Sequence, residues 1–117
     1  MSHLLPFDLA SLGTPEESAP LPDRVVAGEP RHRTWNLETS ADGKTFAGVW
    51  ESSPGTWRTE YEEWEFCTFL TGECILTDEG AEPVRLKAGD SFVIRPGFRG
   101  TWEVVETTRK LYVIREP

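Results

Sequence analysis

Four glutamates, Glu60, Glu62, Glu63 and Glu65, crowd one short stretch of this chain, and its last apolar run carries a single lysine, Lys110, two places before Tyr112. Side chains of these types suit two kinds of chemistry. Clustered carboxylates hold hard cations through oxygen, and a carboxylate beside an amine forms an ion pair or moves protons. Strand alternation sorts them: Glu63 and Glu65 share a face from which Glu60 and Glu62 point away, while Lys110, Tyr112 and Ile114 share a face of the last strand. Paired with a lysine, Glu65 stays ionised and accepts hydrogen bonds. Unpaired and desolvated, its pKa rises and it becomes a general acid or base. A desolvated Lys110 would likewise lose its proton toward neutrality. A three-histidine metal site is excluded by count, because the only histidines, His3 and His32, both precede this region. No cofactor is expected, a divalent metal such as Mn on oxygen ligands being the alternative, and His32 is expected to be a solvated loop residue.

The elements that must position these groups are short strands. From Arg33 onward, turn signals recur at Ala-Asp-Gly43, Ser-Pro-Gly55, Thr-Gly72, Asp-Glu-Gly80, Ala-Gly-Asp90 and Arg-Pro-Gly97. Between them lie runs rich in aromatic and β-branched residues: Phe66 to Leu70, Cys74 to Thr77, Phe92 to Ile94, Thr101 to Val105 and Leu111 to Ile114. Such spacing predicts an all-β sandwich or barrel, and no stretch has capped helical periodicity. Glu65, Cys67 and Phe69 fall on one face of their strand, and Trp64, Phe66, Thr68 and Leu70 on the other. Large apolar groups on both faces predict that this strand is covered on each side, the second cover being a partner subunit. If Thr71-Gly72 is a tight hairpin turn, Phe69 faces Cys74 and the two cysteines, Cys67 and Cys74, stand diagonal. Two buried thiols are then expected rather than a disulfide.

At 117 residues the chain is expected to be one domain. A net charge of -8, with no basic stripe, argues against nucleic acid and anionic membranes as partners. No apolar run reaches membrane-spanning length, and Pro6 and Asp8 fall too early for a signal peptide, so a cytoplasmic location is expected. Residues 1–27 read as an apolar arm, with Leu4, Leu5, Phe7, Leu9 and Leu12, followed by the Pro-rich linker Gly13 to Pro22. Residues 28–117 read as the domain. The arm is expected to cross to a partner.

The motifs resemble those of a known superfamily. Glu65 followed by six residues and Gly72, then Gly89-Asp90 and Pro96-Gly97, resembles the two sequence motifs of the cupins. Gly48-Val-Trp50-Glu51, Pro54 to Glu65, Gly89 to Val104 and Arg109-Lys110-Leu111-Tyr112 are similar to small single-domain cupins of the (S)-ureidoglycine aminohydrolase-like subgroup, RmlC-like in fold. The resemblance spans about residues 28 to 115 and implies a double-stranded β-helix, the jelly-roll barrel, with its site in the mouth and a homodimer as the assembly. In metal-binding cupins the motifs supply His-x-His, Glu and a last His; here Thr59, Tyr61 and Gly100 stand at the histidine places and only the Glu remains. The aminohydrolase manganese set of Glu, His and Gln also fails, since the chain has no Gln.

The resemblance places Thr59, Tyr61, Glu65, Gly100, Trp102, Lys110 and Tyr112 around the barrel cavity. That would be an aromatic pocket with a carboxylate, an ammonium and phenols, suited to a small polar ligand. The expected function is binding of such a molecule without a conventional cupin metal. The alternative is an enzyme acting on a small ureide or amino-acid-like substrate, with Glu65 and Lys110 as catalytic residues. A purely structural reading stands beside both: Glu65 as a buried, paired carboxylate, and Trp57, Trp64 and Trp102 as core or interface.

Overall fold

Aromatic and β-branched runs between Gly- and Pro-marked corners build nine strands. The computed structural model of the chain describes residues 2–117. The strands are β1 (Glu16–Ser18), β2 (Val25–Gly28), β3 (His32–Thr39), β4 (Thr45–Ser52), β5 (Gly55–Glu60), β6 (Trp64–Asp78), β7 (Val84–Lys87), β8 (Ser91–Ile94) and β9 (Arg99–Arg115). A 3-10 turn at Pro22–Arg24 is the one helical element among the described residues. All pairings are antiparallel, and the sheet curls into a jelly-roll half-barrel.

Two long strands carry the architecture. The first half of β6 pairs with β8 and with the second half of β9; its second half pairs with β7 and with the first half of β9. β9 pairs in turn with β5 through Arg99–Val104 and with β4 through Thr108–Arg115. Both strands therefore pass from one layer to the other, and the register between them shifts at Thr71 to Cys74. β3 and β1 extend one layer beyond β4, and β2 extends the other beyond β5.

This corrects the expected hairpin at Thr71-Gly72. Gly72 does adopt a left-handed φ of 88°, but the chain runs on as a bent strand rather than reversing. Cys74 consequently faces Val104, not Phe69. Phe66 to Leu70 and Cys74 to Thr77 are one strand, as are Thr101 to Val105 and Leu111 to Ile114. A positive φ is what a tight turn and a bulge have in common, so the residue type alone does not separate them. The other five turn signals fall at or beside corners between strands. The linker also holds more structure than its composition predicts: β1 pairs with β3 inside it.

Inward-facing side chains alternate as the period of two requires. Trp57, Phe69, Cys74, Leu76, Ile94, Trp102 and Val104 form the core. Both cysteines are buried and unpaired, with Cys74 Sγ 3.2 Å from Thr108 Oγ1. Outside β3, the linker is fastened where Trp35 Nε1 donates to the Gly13 carbonyl at 2.9 Å. The Arg109 guanidinium lies over the same indole and bonds Glu51 at 3.0 Å.

At Gly72 an added Cβ would stand 2.4 Å from the Thr107 carbonyl and 2.6 Å from Thr108 Cα, both backbone atoms of the bend in β9. Gly72→Ala is therefore expected to cost about 2–3 kcal/mol, combining left-handed strain with displaced backbone. Urea unfolding measures it, and a loss below about 0.5 kcal/mol would remove the bend from the list of constraints.

Candidate functional site

The inner faces of β3, β4, β5, β6 and β9 enclose a cavity of about 480 Å³. Thr59, Tyr61, Glu65, Trp102, Lys110 and Tyr112 all line it, joined by His32, Thr34, Asn36, Phe46, Trp50, Trp57, Glu63 and Ile114. Gly100 does not. It borders a second groove with Thr59, Asp78 and Arg99, and a Cβ there would meet the Thr77 carbonyl. Close strand packing against β6 accounts for Gly100, and the expected place on the cavity wall is corrected.

Lys110 and Glu65 form the polar centre. Lys110 sits opposite Trp50 on β4 and Phe69 on β6, while Glu65 sits opposite Ile114. Cys67 lies between them on the inner face of β6, and its small side chain leaves the path open. The lysine stem runs over it, and Nζ reaches Glu65 Oε2 at 2.9 Å with both residues nearly inaccessible. The ammonium also lies 4.5 Å from the ring centroids of both Trp50 and Trp102. Burial by itself would drive the proton off this lysine. The neighbouring Cys67 sulfur and the Glu65 carboxylate outweigh that, and its pKa lies above the ordinary lysine value. Of the two states open to Glu65 and Lys110, the structure has the paired one, with Glu65 as the acceptor.

Aromatic rings wall the rest. Trp57 and Trp102 are cross-strand partners and stack at 6.0 Å with 11° between their planes. Trp50 meets Trp102 edge-on at 5.5 Å, and Tyr61 stands edge-on to Phe98 at 5.6 Å. Tyr112 donates its hydroxyl to Asn36 Oδ1 at 2.8 Å. Burial, reinforced by the Glu65 charge, pushes both phenols up, Tyr112 to about 12. Burial likewise pushes the Cys67 thiol up to about 12. At neutral pH these three groups keep their protons.

His32 is the residue that sequence reasoning missed. It opens β3 rather than lying in a loop, and it is wedged against Trp50 and Trp57, with centroids at 5.0 and 4.8 Å. Burial and the Lys110 charge lower its pKa to about 4, so it is neutral at physiological pH. Its Nε2 and the Trp102 Nε1 are buried with no hydrogen-bond partner. The available signal was Thr34 and Asn36, which alternate with His32 on the inward face of the same strand. Glu63, placed on the Glu65 face by alternation, also borders the cavity, whereas Glu60 pairs outside with Arg99 at 3.1 Å.

These residues do not fit a conventional cupin metal. Thr59 and Tyr61 stand in place of the first two histidines, Gly100 carries no side chain to ligate an ion, and Lys110 engages Glu65. Among the described residues no three His, Cys, Asp or Glu side chains cluster to hold an ion. No helix there is long and apolar enough to cross a membrane.

Curled antiparallel layers, two shared strands and an inner cavity define a cupin. Residues 39–112 match the EutQ-like cupin domain, and the chain belongs to that family. No curated protein matches it. Among solved structures it is similar to a protein of unknown function from Pseudomonas syringae pv. tomato, at 24% identity and a TM-score of 0.78 over 86% of this chain and 43% of that one. This chain therefore spans less than half the length of that protein. An ethanolamine utilization protein Q from Salmonella typhimurium aligns at 27% identity and a TM-score of 0.63, over 72% of this chain and 68% of the other. A Thermotoga maritima protein described as a predicted oxalate decarboxylase aligns at 21% identity and a TM-score of 0.69, over 89% and 93%.

Removing one member of the buried pair should be worse than removing both. Lys110→Met leaves Glu65 buried without its cation and is expected to lose about 3–5 kcal/mol; the double variant Lys110→Met/Glu65→Gln should recover most of that. Equal losses in chemical denaturation would show that the cost lies in packing against the indoles and not in the orphaned charge.

Proposed function

We propose that this protein binds a small polar molecule in the barrel lumen without a conventional cupin metal. One observation carries the reading: an aromatic-walled cavity of about 480 Å³ with a satisfied ion pair at its centre. Rings supply contact area at low entropic cost, and a few fixed polar groups set orientation. On this reading Thr59, Tyr61, Glu65, Trp102, Lys110 and Tyr112 contact the ligand, together with His32. Residues 28–117 form the binding domain and residues 1–27 its arm. The resemblance to the (S)-ureidoglycine aminohydrolase-like subgroup supports an enzyme acting on a ureide or amino-acid-like substrate. That chemistry needs Glu65 or Lys110 to exchange a proton in the working range. A charged lysine bonded to its carboxylate opposes this, and binding is the preferred reading.

Protein purified without chelators and examined by native mass spectrometry and elemental analysis is expected to carry an organic adduct and less than stoichiometric metal. Trp102→Ala should abolish the adduct. A stoichiometric metal, or an adduct retained when the lumen is altered, would overturn the proposal.

We also propose a homodimer. Within one chain the outer face of β6, β8 and β9 leaves Trp64, Phe66, Val93 and Val113 each 37–42% exposed, with Phe66 in register with both Val93 and Val113. The arm leaves Leu4 and Leu5 more than half exposed. A second copy would cover both surfaces. Light scattering is expected to give twice the chain mass, falling to the monomer in Phe66→Asp/Val113→Asp. A monomeric wild-type protein would rule the assembly out.

A further inference from the structure

The charge balance of the lumen identifies what class of molecule it accepts. Its titratable lining is Glu63, Glu65, Lys110, His32, Tyr61 and Tyr112. His32 and the two phenols are uncharged at neutral pH, leaving two carboxylates against one ammonium, a net charge of -1. Lys110 is not available to a ligand anion. Its hydrogens are directed to Glu65 Oε2 at 2.9 Å and toward the faces of Trp50 and Trp102, with the Cys67 sulfur alongside. Glu65 is in turn neutralised by Lys110. The uncompensated charge is therefore Glu63, half-buried at the cavity and in no ion pair among the described residues. Glu63 stands two positions from Tyr61, and both border the cavity.

Aromatic faces complete the selection. Trp50, Trp57, Tyr61 and Trp102 line the space with negative π surfaces, which attract cations and repel anions placed over them. Lys110 demonstrates the preference internally, since two of these indoles already flank its own ammonium. Resting on the reading of the lumen as a ligand site, we infer that its ligand is a small organic cation, a protonated or quaternary amine, whose positive charge lies beside Glu63 and Tyr61 against the indole wall.

The test is calorimetric titration of the full chain at low ionic strength with four probes: choline, its neutral isostere 3,3-dimethyl-1-butanol, the anion 3,3-dimethylbutyrate, and guanidinium. Choline or guanidinium is expected to bind at least tenfold more tightly than the neutral isostere, with no detectable binding of the anion. Glu63→Gln, verified as folded by its melting transition, should reduce that preference to below threefold while leaving the neutral isostere's affinity unchanged. Binding of the butyrate or the neutral alcohol as tight as that of the cations would overturn the cation assignment and leave the lumen as a ligand site. A cation preference that survives Glu63→Gln would overturn the role of Glu63. Failure of all four probes to bind would count against both readings.

Discussion

The antiparallel ladder between β6 and β9 is the constraint on which the rest of the molecule depends. It runs from Trp64 with Arg115 to Asp78 with Gly100, and each strand bends so that both layers share it. Every other strand reaches the structure through this pair: β4 and β5 directly on β9, β7 and β8 on β6, β3 and β1 by way of β4, and β2 by way of β5. From Trp64 to Phe69 the ladder keeps one register, and facing is transmitted along that half. Glu65, Cys67 and Phe69 of one strand and Lys110 and Tyr112 of the other all turn inward, and Glu65, Lys110 and Tyr112 reach the lumen from this shared face. The bend is possible only where backbones touch, which is why Gly72 has Thr107 and Thr108 against it.

Lys110 shows how the lumen manages a charge in a nearly dry setting. Transferring an ammonium from water to this interior is unfavourable by several kcal/mol before compensation. The compensation comes from one carboxylate at hydrogen-bond distance and two indole faces, so the charged form is retained. A metal drawing on Glu65 would have to displace this ammonium first. Glu65, the one residue of the metal-binding motif that this chain keeps, is thus bonded to the protein's own cation, set on β9.

Much of this was legible from residue order. Alternation placed Glu63 with Glu65 and set Lys110 with Tyr112, and the aromatic runs between turn residues announced the strands. Glu65 and Lys110 meeting across a cavity followed from the motif resemblance rather than from spacing. The failures have physical causes. Thr71-Gly72 has the chemistry of a turn because a bulge asks for the same backbone angle. Gly100 stands where a histidine would reach inward, but its lack of a side chain serves contact with Thr77. His32 was hidden because its environment, Trp50 and Trp57, comes from two later strands. No local pattern announces that two indoles will close over a residue some twenty positions away.

The buried pair bears directly on whether the lumen is a site or merely a core. For folding alone, an apolar pair of similar volume in place of Lys110 and Glu65 would be neutral or stabilising, since a buried ion pair recovers its desolvation penalty only in part. Three large indoles and two phenols already supply enough apolar surface to close the barrel solidly, yet they leave about 480 Å³ open. A lumen left open to solvent forgoes the packing contacts that a filled core would make. Each of these features costs stability and none is required by the β6–β9 ladder. A bound molecule that fills the lumen supplies those contacts beside the ion pair, and this favours a binding lumen over a structural one.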